Sequence, residues 1–196
     1  MANTSVCAEL TGKVDLSCAR SLPKKYYQEA VIINKSDIDT VASKLGVSEG
    51  ATCDYTVEMV LKAAKKGVQI RLPDSGSSIK GYFAKSKSDN GFVQYKHSVR
   101  IFLAGVSKET KCILDKLDRG SYVIAVQAMD GTVEIYGWEN GMSTADYTYD
   151  LQEGGGGAQI ELTSDDAAQE STLPLVYKAS GTSTADADFN SQFEQP

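Results

Sequence analysis

The residues of this chain that could do chemistry are one histidine, four cysteines, a run of glycines and a few acidic pairs. A hydrolase triad built on the histidine, His97, would need an activated nucleophile, and no sequence motif identifies one. His97 lies in a segment where apolar and polar residues alternate. We therefore expect a strand residue whose ring nitrogens are hydrogen-bonded to neighbouring groups. The sequence predicts no catalytic residue, and we expect the protein not to be an enzyme.

The four cysteines form no recognisable metal or disulfide pattern. There is no C-x-x-C pair, and four cysteines in 196 residues are too few for a disulfide scaffold. We expect buried thiols in a reducing compartment. A zinc site formed by Cys7 and Cys18 with distant partners is the alternative, although its spacing matches no familiar ligand pattern.

Glycines 154–157 have the composition of a phosphate-binding loop but not its chemistry. No Lys-Ser/Thr follows them, and Glu153 would repel an anion, so the tip of a hairpin is favoured. The acidic pairs lack the odd spacing and closing glutamate of a calcium loop. These pairs are Asp37/Asp39, Asp146/Asp150 and Asp165/Asp166. We expect no bound metal and no cofactor.

The segment from Ser121 to Trp138 is the one whose local chemistry most clearly indicates its structure. Residues 122–126 and 133–138 are β-branched and aromatic, and Met129-Asp130-Gly131 lies between them. Glycine at this position allows the positive φ that a tight turn requires. The segment is predicted to be a β-hairpin.

The rest of the chain predicts further strands and one clear helix. Ser107 is a suitable N-cap for a helix over about residues 107–118, with Ile113, Leu114 and Leu117 on its buried face. Residues 56–66 fit either a helix or a strand entering a hairpin at residues 65–67. Strands are expected at 26–33, 79–84, 92–103 and 173–177, a hairpin at 147–151 and 159–163, and a helical turn from Ser36 to Leu45.

These elements predict a mainly β fold, a β-sandwich or barrel with one flanking α-helix. The length suits one domain over residues 26–178, preceded by an extended N-terminal arm (1–25) and followed by an acidic, flexible C-terminal tail (179–196). No apolar run approaches the roughly 18 residues of a membrane span, and residues 1–20 lack the apolar stretch of a signal peptide. We expect a protein that is neither inserted in a membrane nor exported.

Charge is divided unevenly along the chain. Residues 1–119 contain 19 Lys and Arg against 13 Asp and Glu, a balance of +6, whereas residues 120–196 contain one lysine against 13 acidic residues, a balance of −12. The division suits either simple solubility or head-to-tail self-association with an acidic face that repels polyanions. The basic pairs Lys24-Lys25 and Lys65-Lys66 are too small for a nucleic-acid footprint at a pI of about 4.9.

The order of a long strand, a short helix and then GSYVIAVQAMDGTVEIYGWENGM, followed by strands ending in LPLVYKA, resembles the tail tube (major tail) proteins of tailed bacteriophages. The opening CAELTGKVDLSC and the segment AVIINKSDID add to this resemblance, which covers most of residues 7–178. Its most specific part is the hairpin followed by Tyr136-Gly137-x-Glu139-x-Gly141, which is a pattern of turns and strands.

The resemblance implies a virion structural protein that assembles into rings, usually hexameric, which stack into a tail tube with an acidic lumen for DNA passage. Its partners would be copies of itself, other tail proteins and genomic DNA that passes without tight binding. It would be made in the host bacterial cytoplasm and reside in the virion tail. From their acidity and strand position we expect Glu134, Glu139 and Asp150 to face the lumen.

Two other functions stay open at this point. The first is another ring protein of the virion, such as a tail terminator or connector. The second is a monomeric carbohydrate-binding β-sandwich that uses Tyr95, Trp138 and Tyr147.

Overall fold

We examined a computed structural model of the chain. It describes residues 27–46, 54–71, 79–88, 90–104, 107–128, 131–150 and 157–179. The predicted N-terminal arm and almost all of the predicted C-terminal tail lie outside these residues.

The described residues form a mainly β fold with two sheets and one helix, which confirms the predicted fold class. The strands are β1 (Tyr27–Asn34), β2 (Lys44–Gly46), β3 (Thr56–Glu58), β4 (Val68–Arg71), β5 (Lys80–Lys87), β6 (Val93–Ala104), β7 (Tyr122–Ala128), β8 (Val133–Tyr136), β9 (Ser143–Thr144), β10 (Tyr149–Asp150), β11 (Gly157–Thr163) and β12 (Leu175–Tyr177). The helix α1 spans Lys108–Leu117, and a 3-10 turn spans Lys35–Asp37.

The first sheet has the order β2-β3-β12-β8-β7-β1-β4 and is buried on both faces around its centre. Every residue of β7 is buried, as expected for a strand with a core on each side. The predicted hairpin β7–β8 is confirmed, and Gly131 in its turn has a φ of +85°.

The segment before β2 extends the pairing of the first sheet. The chain forms a bridge between Ile38 and Leu61, beyond the paired residues of β2 and β3. Asp39 N donates to Val60 O at 2.9 Å, and Lys62 N donates to Asp37 O at 2.9 Å. One face of the first sheet carries a second core, which includes Val31, Ile33, Val57, Met59, Val123, Ala125, Val133, Ile135, Leu175 and Tyr177.

The second sheet has the order β10-β11-β6-β5, with β9 also paired to β11. Its inner face packs on the first sheet through a core that both sheets share. Leu114 and Leu117 of α1 cover the same core, as predicted. The other members from the sheets include Ala30, Ile32, Val99, Ile101, Ile124, Val126, Ala158, Ile160 and Leu162. The architecture is a sandwich of two sheets, in which the first sheet carries a second core on the face that does not contact the second sheet.

Several local predictions need correction. Leu45 does not end a helical turn but lies in β2, because the chain after the short 3-10 turn joins the sheet edge at β3. Residues 56–66 contain β3 rather than a helix, yet β3 does not form a hairpin with β4. It pairs with β2 and β12, while β4 pairs with β1. Ile113, predicted to be buried, is 41% exposed because the sandwich contacts only Leu114 and Leu117 on that side of α1.

Candidate functional site

His97 is a deeply buried group that could do acid–base chemistry, with 1% of its surface exposed. Gly137 N donates to its Nδ1 at 3.1 Å, so Nδ1 carries no proton and Nε2–H donates to Thr172 O at 3.0 Å. Its ring also meets the ring of Tyr136 edge to face at 5.8 Å. Burial lowers the pKa of His97 to about 4. The predicted satisfied strand histidine is confirmed.

Glu170 is a second buried ionisable group, with no exposed surface. Its carboxylate accepts hydrogen bonds from Glu139 N at 2.7 Å and from Asn140 N at 2.9 Å. Lys35 Nζ donates to Trp138 O at 2.8 Å in the same region. Burial raises the pKa of Glu170, although the two backbone donors and Lys35 oppose that rise.

These contacts converge on residues 137–141, which we call the clamped loop. Gly137 and Gly141 at its two ends have φ values of +74° and +81°, so both positions favour glycine. Glu139, itself a residue of the loop, also holds the loop in place, since its carboxylate accepts a hydrogen bond from Ser171 N at 2.7 Å. Because His97 and Glu170 both bond to its backbone, the clamped loop is a structural joint between the two layers.

The sequence contained only part of the signal for this joint. The two glycines of YGWENGM indicated a loop. The sequence did not indicate which side chains hold that loop in place. Glu170 lies in SDDAAQE, a segment interpreted as a turn, and nothing local predicts its burial. Asp165 does form the expected turn, because its carboxylate accepts from Ala167 N at 2.7 Å.

The three acidic residues expected in a lumen lie in different places. Glu134 is on β8 and accepts from the Tyr136 hydroxyl at 2.7 Å. Glu139 is exposed in the clamped loop directly after β8, whereas Asp150 lies on β10 in the other sheet. Glu134 and Glu139 thus belong to one connected segment, and Asp150 does not. Whether they face a lumen stays a prediction.

The hairpin β5–β6 extends beyond the sandwich. Residues facing each other across the two strands share a face, so Phe83, Lys85 and Lys87 lie on the same side as their partners His97, Tyr95 and Val93. His97 is buried against the first sheet, but other residues of this inner face, closer to the hairpin turn, are exposed. Phe83 is 48% exposed and Val93 is 38% exposed, and Phe92 at the turn, on the opposite face of the hairpin, is 62% exposed. We call this exposed end of the hairpin the overhang.

The overhang is apolar and basic. Phe83 and Tyr95 pack edge to face, with their ring centroids 6.1 Å apart. Lys85 and Lys87 lie on the same face of the hairpin as Phe83 and Tyr95 and are exposed. Neither lysine has an ion-pair partner in the part of the chain that the structure describes. An exposed face of this kind is typical of a contact surface.

Some of the divided charge is neutralised within the chain. Lys96 pairs with Asp166 at 2.6 Å, and Arg100 pairs with Glu161 at 2.8 Å. Tyr82 adds a hydrogen bond from its hydroxyl to Glu161. These contacts lie on or beside β6, so the outer face of the second sheet is balanced, in contrast to the overhang.

No metal centre is formed by the described residues. They contain no group of three His, Cys, Asp or Glu side chains placed to hold an ion. Cys112 is exposed on α1, contrary to the expectation of buried thiols, because it lies on a side of the helix that the core does not contact. Cys7, Cys18 and Cys53 lie outside the described residues. No described helix is long and apolar enough to cross a membrane.

Comparison of the chain with protein-family models, with curated proteins and with solved structures returned no match.

Proposed function

We propose that this protein is a virion structural protein that self-associates head to tail into rings, which stack into the tail tube of a bacteriophage. The observation on which the proposal depends is the overhang. It exposes aromatic and aliphatic side chains at the end of a long hairpin, together with two exposed lysines that form no ion pair with any other described residue. A second copy of the chain is the partner whose charge best suits this surface.

The two edges of the second sheet support this choice of partner. One edge is β5, whose lysines are Lys80, Lys85 and Lys87. The other is the segment 143–150, which pairs with β11 and includes Asp146 and Asp150. An edge strand offers unpaired backbone groups to another chain. Opposite charges at opposite edges of one sheet favour a heterologous contact, and such contacts close into rings.

The acidic lumen is the second part of the proposal. Residues 120–177 contain no lysine or arginine, so the surface that they supply repels DNA. Glu134 accepts a hydrogen bond from the Tyr136 hydroxyl and Glu139 accepts one from Ser171 N, which fixes the position of both side chains. We assign Glu134, Glu139 and Asp150 to the wall of the channel.

The carbohydrate-binding alternative has less support. Trp138 packs against the second core, and the Tyr147 hydroxyl donates to Asp118 at 3.0 Å. Tyr95 packs against Phe83 at the overhang. These three aromatic residues are engaged in three different places, whereas a sugar platform needs neighbouring exposed rings.

The test of assembly is negative-stain electron microscopy with light scattering on the untagged full chain over a range of concentrations. We expect rings or tubes with a central channel for the wild type. The double variants Phe83→Ser/Phe92→Ser and Lys85→Glu/Lys87→Glu should shift the protein to monomers. The matched control is Lys108→Glu/Lys116→Glu, which changes the net charge equally at exposed positions of α1.

Several outcomes would contradict the proposal. They are wild-type monomers at every concentration, hairpin variants that assemble like the wild type, and a control variant that fails equally. Rings that never stack would instead favour a terminator or connector over the tube itself.

The lumen assignment has its own test in a phage that depends on this chain. The variant Glu134→Lys/Glu139→Lys/Asp150→Lys should form tails but lower infectivity, because DNA would adhere to the channel. The matched variant Glu134→Gln/Glu139→Gln/Asp150→Asn removes the charge without adding a basic group and should reduce infectivity less. Normal infectivity of the lysine variant would refute the assignment.

A further inference from the structure

The only histidine and the only tryptophan of the chain belong to the same small structure. Trp138 is part of the clamped loop, and His97 is one of the groups that hold it. Three backbone N–H groups of the loop donate to ionisable side chains. Gly137 N donates to His97 Nδ1, while Glu139 N and Asn140 N donate to the carboxylate of Glu170.

Whether these side chains can accept a hydrogen bond depends on their protonation state. Nδ1 of His97 accepts a hydrogen bond only while it carries no proton, and an imidazolium ring has N–H groups on both sides. After protonation, the Gly137 N–H would face another donor inside the protein. A buried donor without an acceptor is costly, and so is a buried charge.

We propose that the clamped loop is an acid-operated latch: proton uptake by His97 breaks its bond to Gly137 and releases the loop, while the two sheets stay folded. This inference is independent of self-assembly. It follows from the contacts within a single chain and applies equally to a monomer.

The charged and titratable groups around His97 come from every element that packs on it. Tyr136 of β8 faces the ring and Glu139 acts on it from the loop, while Glu170, with Lys35 near it, holds the same loop. The charge of Glu139 favours the protonated ring, but burial outweighs it, so the pKa of His97 falls to about 4. On this basis latch stability is complete above about pH 6.5, the ordinary histidine pKa, and decreases as the pH falls towards 4.

Glu170 acts in the opposite direction. Because burial raises its pKa, the folded protein takes up this proton more readily than the unfolded chain does. Protonation of Glu170 therefore offsets part of the acid effect, and His97 is the group that makes the latch sensitive to acid.

The latch is joined to the overhang by backbone. Tyr95 N donates to Glu170 O at 2.8 Å, and Glu170 N donates to Tyr95 O at 3.0 Å. This bridge lies two residues from His97, where the hairpin leaves the sandwich. Release of the loop removes the partners of the Glu170 side chain and so loosens the attachment of the hairpin.

The test uses the untagged full chain, in which each reporter is unique. The ring protons of His97 in NMR spectra report its protonation, Trp138 fluorescence reports the loop, and far-UV circular dichroism reports the sheets. Between about pH 6.5 and 4 we expect the His97 and Trp138 signals to change together while the circular dichroism signal stays constant. Coincidence of the fluorescence and circular dichroism transitions would overturn the proposal.

Variants sharpen the test. In His97→Gln the amide oxygen can accept from Gly137 at every pH, so the fluorescence midpoint should move down by at least one pH unit or disappear. Lys108→Gln, at an exposed position of α1, is the control and should leave the midpoint unchanged. An unchanged midpoint in His97→Gln would overturn the latch. If that variant does not fold, a difference of more than one pH unit between the wild-type His97 and Trp138 midpoints would do the same.

Discussion

Strands of the same alternating type have different roles in the two layers of this protein. The first sheet has a core on each face and buries β7 completely. The second sheet has a core on one face only, and its hairpin β5–β6 continues past that core into solvent. An alternating strand therefore specifies which residues share a face, but the partner layer decides how much of that face is covered.

This difference separates residues that stabilise the fold from residues that are available to a partner. Side chains in the second core are fully enclosed, so truncating them leaves cavities. Side chains on the overhang already contact water, so truncating them removes a surface for a partner at little cost to the fold. The predictions below test this separation in order of expected effect.

Ile135→Ala in β8 should give the largest effect. Ile135 is fully buried in the second core, so its truncation is expected to lower the free energy of unfolding by about 2–5 kcal/mol. Val93→Ala on the overhang is the matched change and should cost less than about 1 kcal/mol. Urea unfolding followed by circular dichroism measures both. Similar losses for the two variants would mean that the overhang is part of the stabilising core.

Gly81→Ala tests the contact between the two layers. A Cβ added at Gly81 in β5 would lie 2.5 Å from the hydroxyl oxygen of Tyr136 and 2.6 Å from Cζ. The ring would have to move and weaken its bond to Glu134, at a cost of about 1–3 kcal/mol.

The control is Gly91→Ala in the hairpin turn, where a Cβ meets nothing within 4 Å and only the φ of +82° is unfavourable. That strain is worth about 1 kcal/mol. Thermal unfolding should show the larger loss for Gly81→Ala, and the reverse order would contradict the close packing of Tyr136 on β5.

Asp37→Ala tests the connection between β1 and β2 and should have the smallest effect. Asp37 accepts from Asn34 Nδ2 at 2.8 Å and pairs with Lys65 at 3.3 Å, just before the Ile38–Leu61 bridge. Loss of these contacts is expected to cost about 1–2 kcal/mol at neutral pH.

The effect should depend on pH. The hydrogen bond from Asn34 outweighs burial and, with the nearby lysines, holds the pKa of Asp37 below 3.8. Its stabilisation is therefore complete above about pH 3.8 and is lost as the pH falls through the lower folded-state value. The difference between wild type and Asp37→Ala, measured by urea unfolding, should shrink below pH 3.8. A constant difference would show that the charge of Asp37 does not contribute.

Local features were predictable where a short stretch contained its own signal. The β7–β8 hairpin followed from two β-branched runs around Gly131, and α1 followed from Ser107, whose hydroxyl oxygen accepts from Thr110 N at 3.2 Å. The second predicted hairpin is also confirmed, because Tyr149 and Asp150 of β10 pair with the start of β11.

The errors occurred where distant residues decide the outcome. Residues 56–66 have helical spacing, yet β3 is stabilised by parallel pairing with β12, more than a hundred positions later in the chain. Neither strand predicts that pairing alone, because parallel partners share no turn. The candidate lumen residues are similar: the sequence located their charge, while only the fold separates Asp150 from Glu134 and Glu139.

By itself, the sequence determined which residues alternate, where the central hairpin turns, where α1 begins and how charge is divided along the chain. These properties depend on neighbours within a few residues, so a local pattern contains them. The tertiary structure alone decided that β1 lies between β7 and β4, that Glu170 is buried beneath the clamped loop and that side chains at the end of β5–β6 are exposed. Each of these depends on how well distant surfaces fit together, and a linear pattern does not encode that fit.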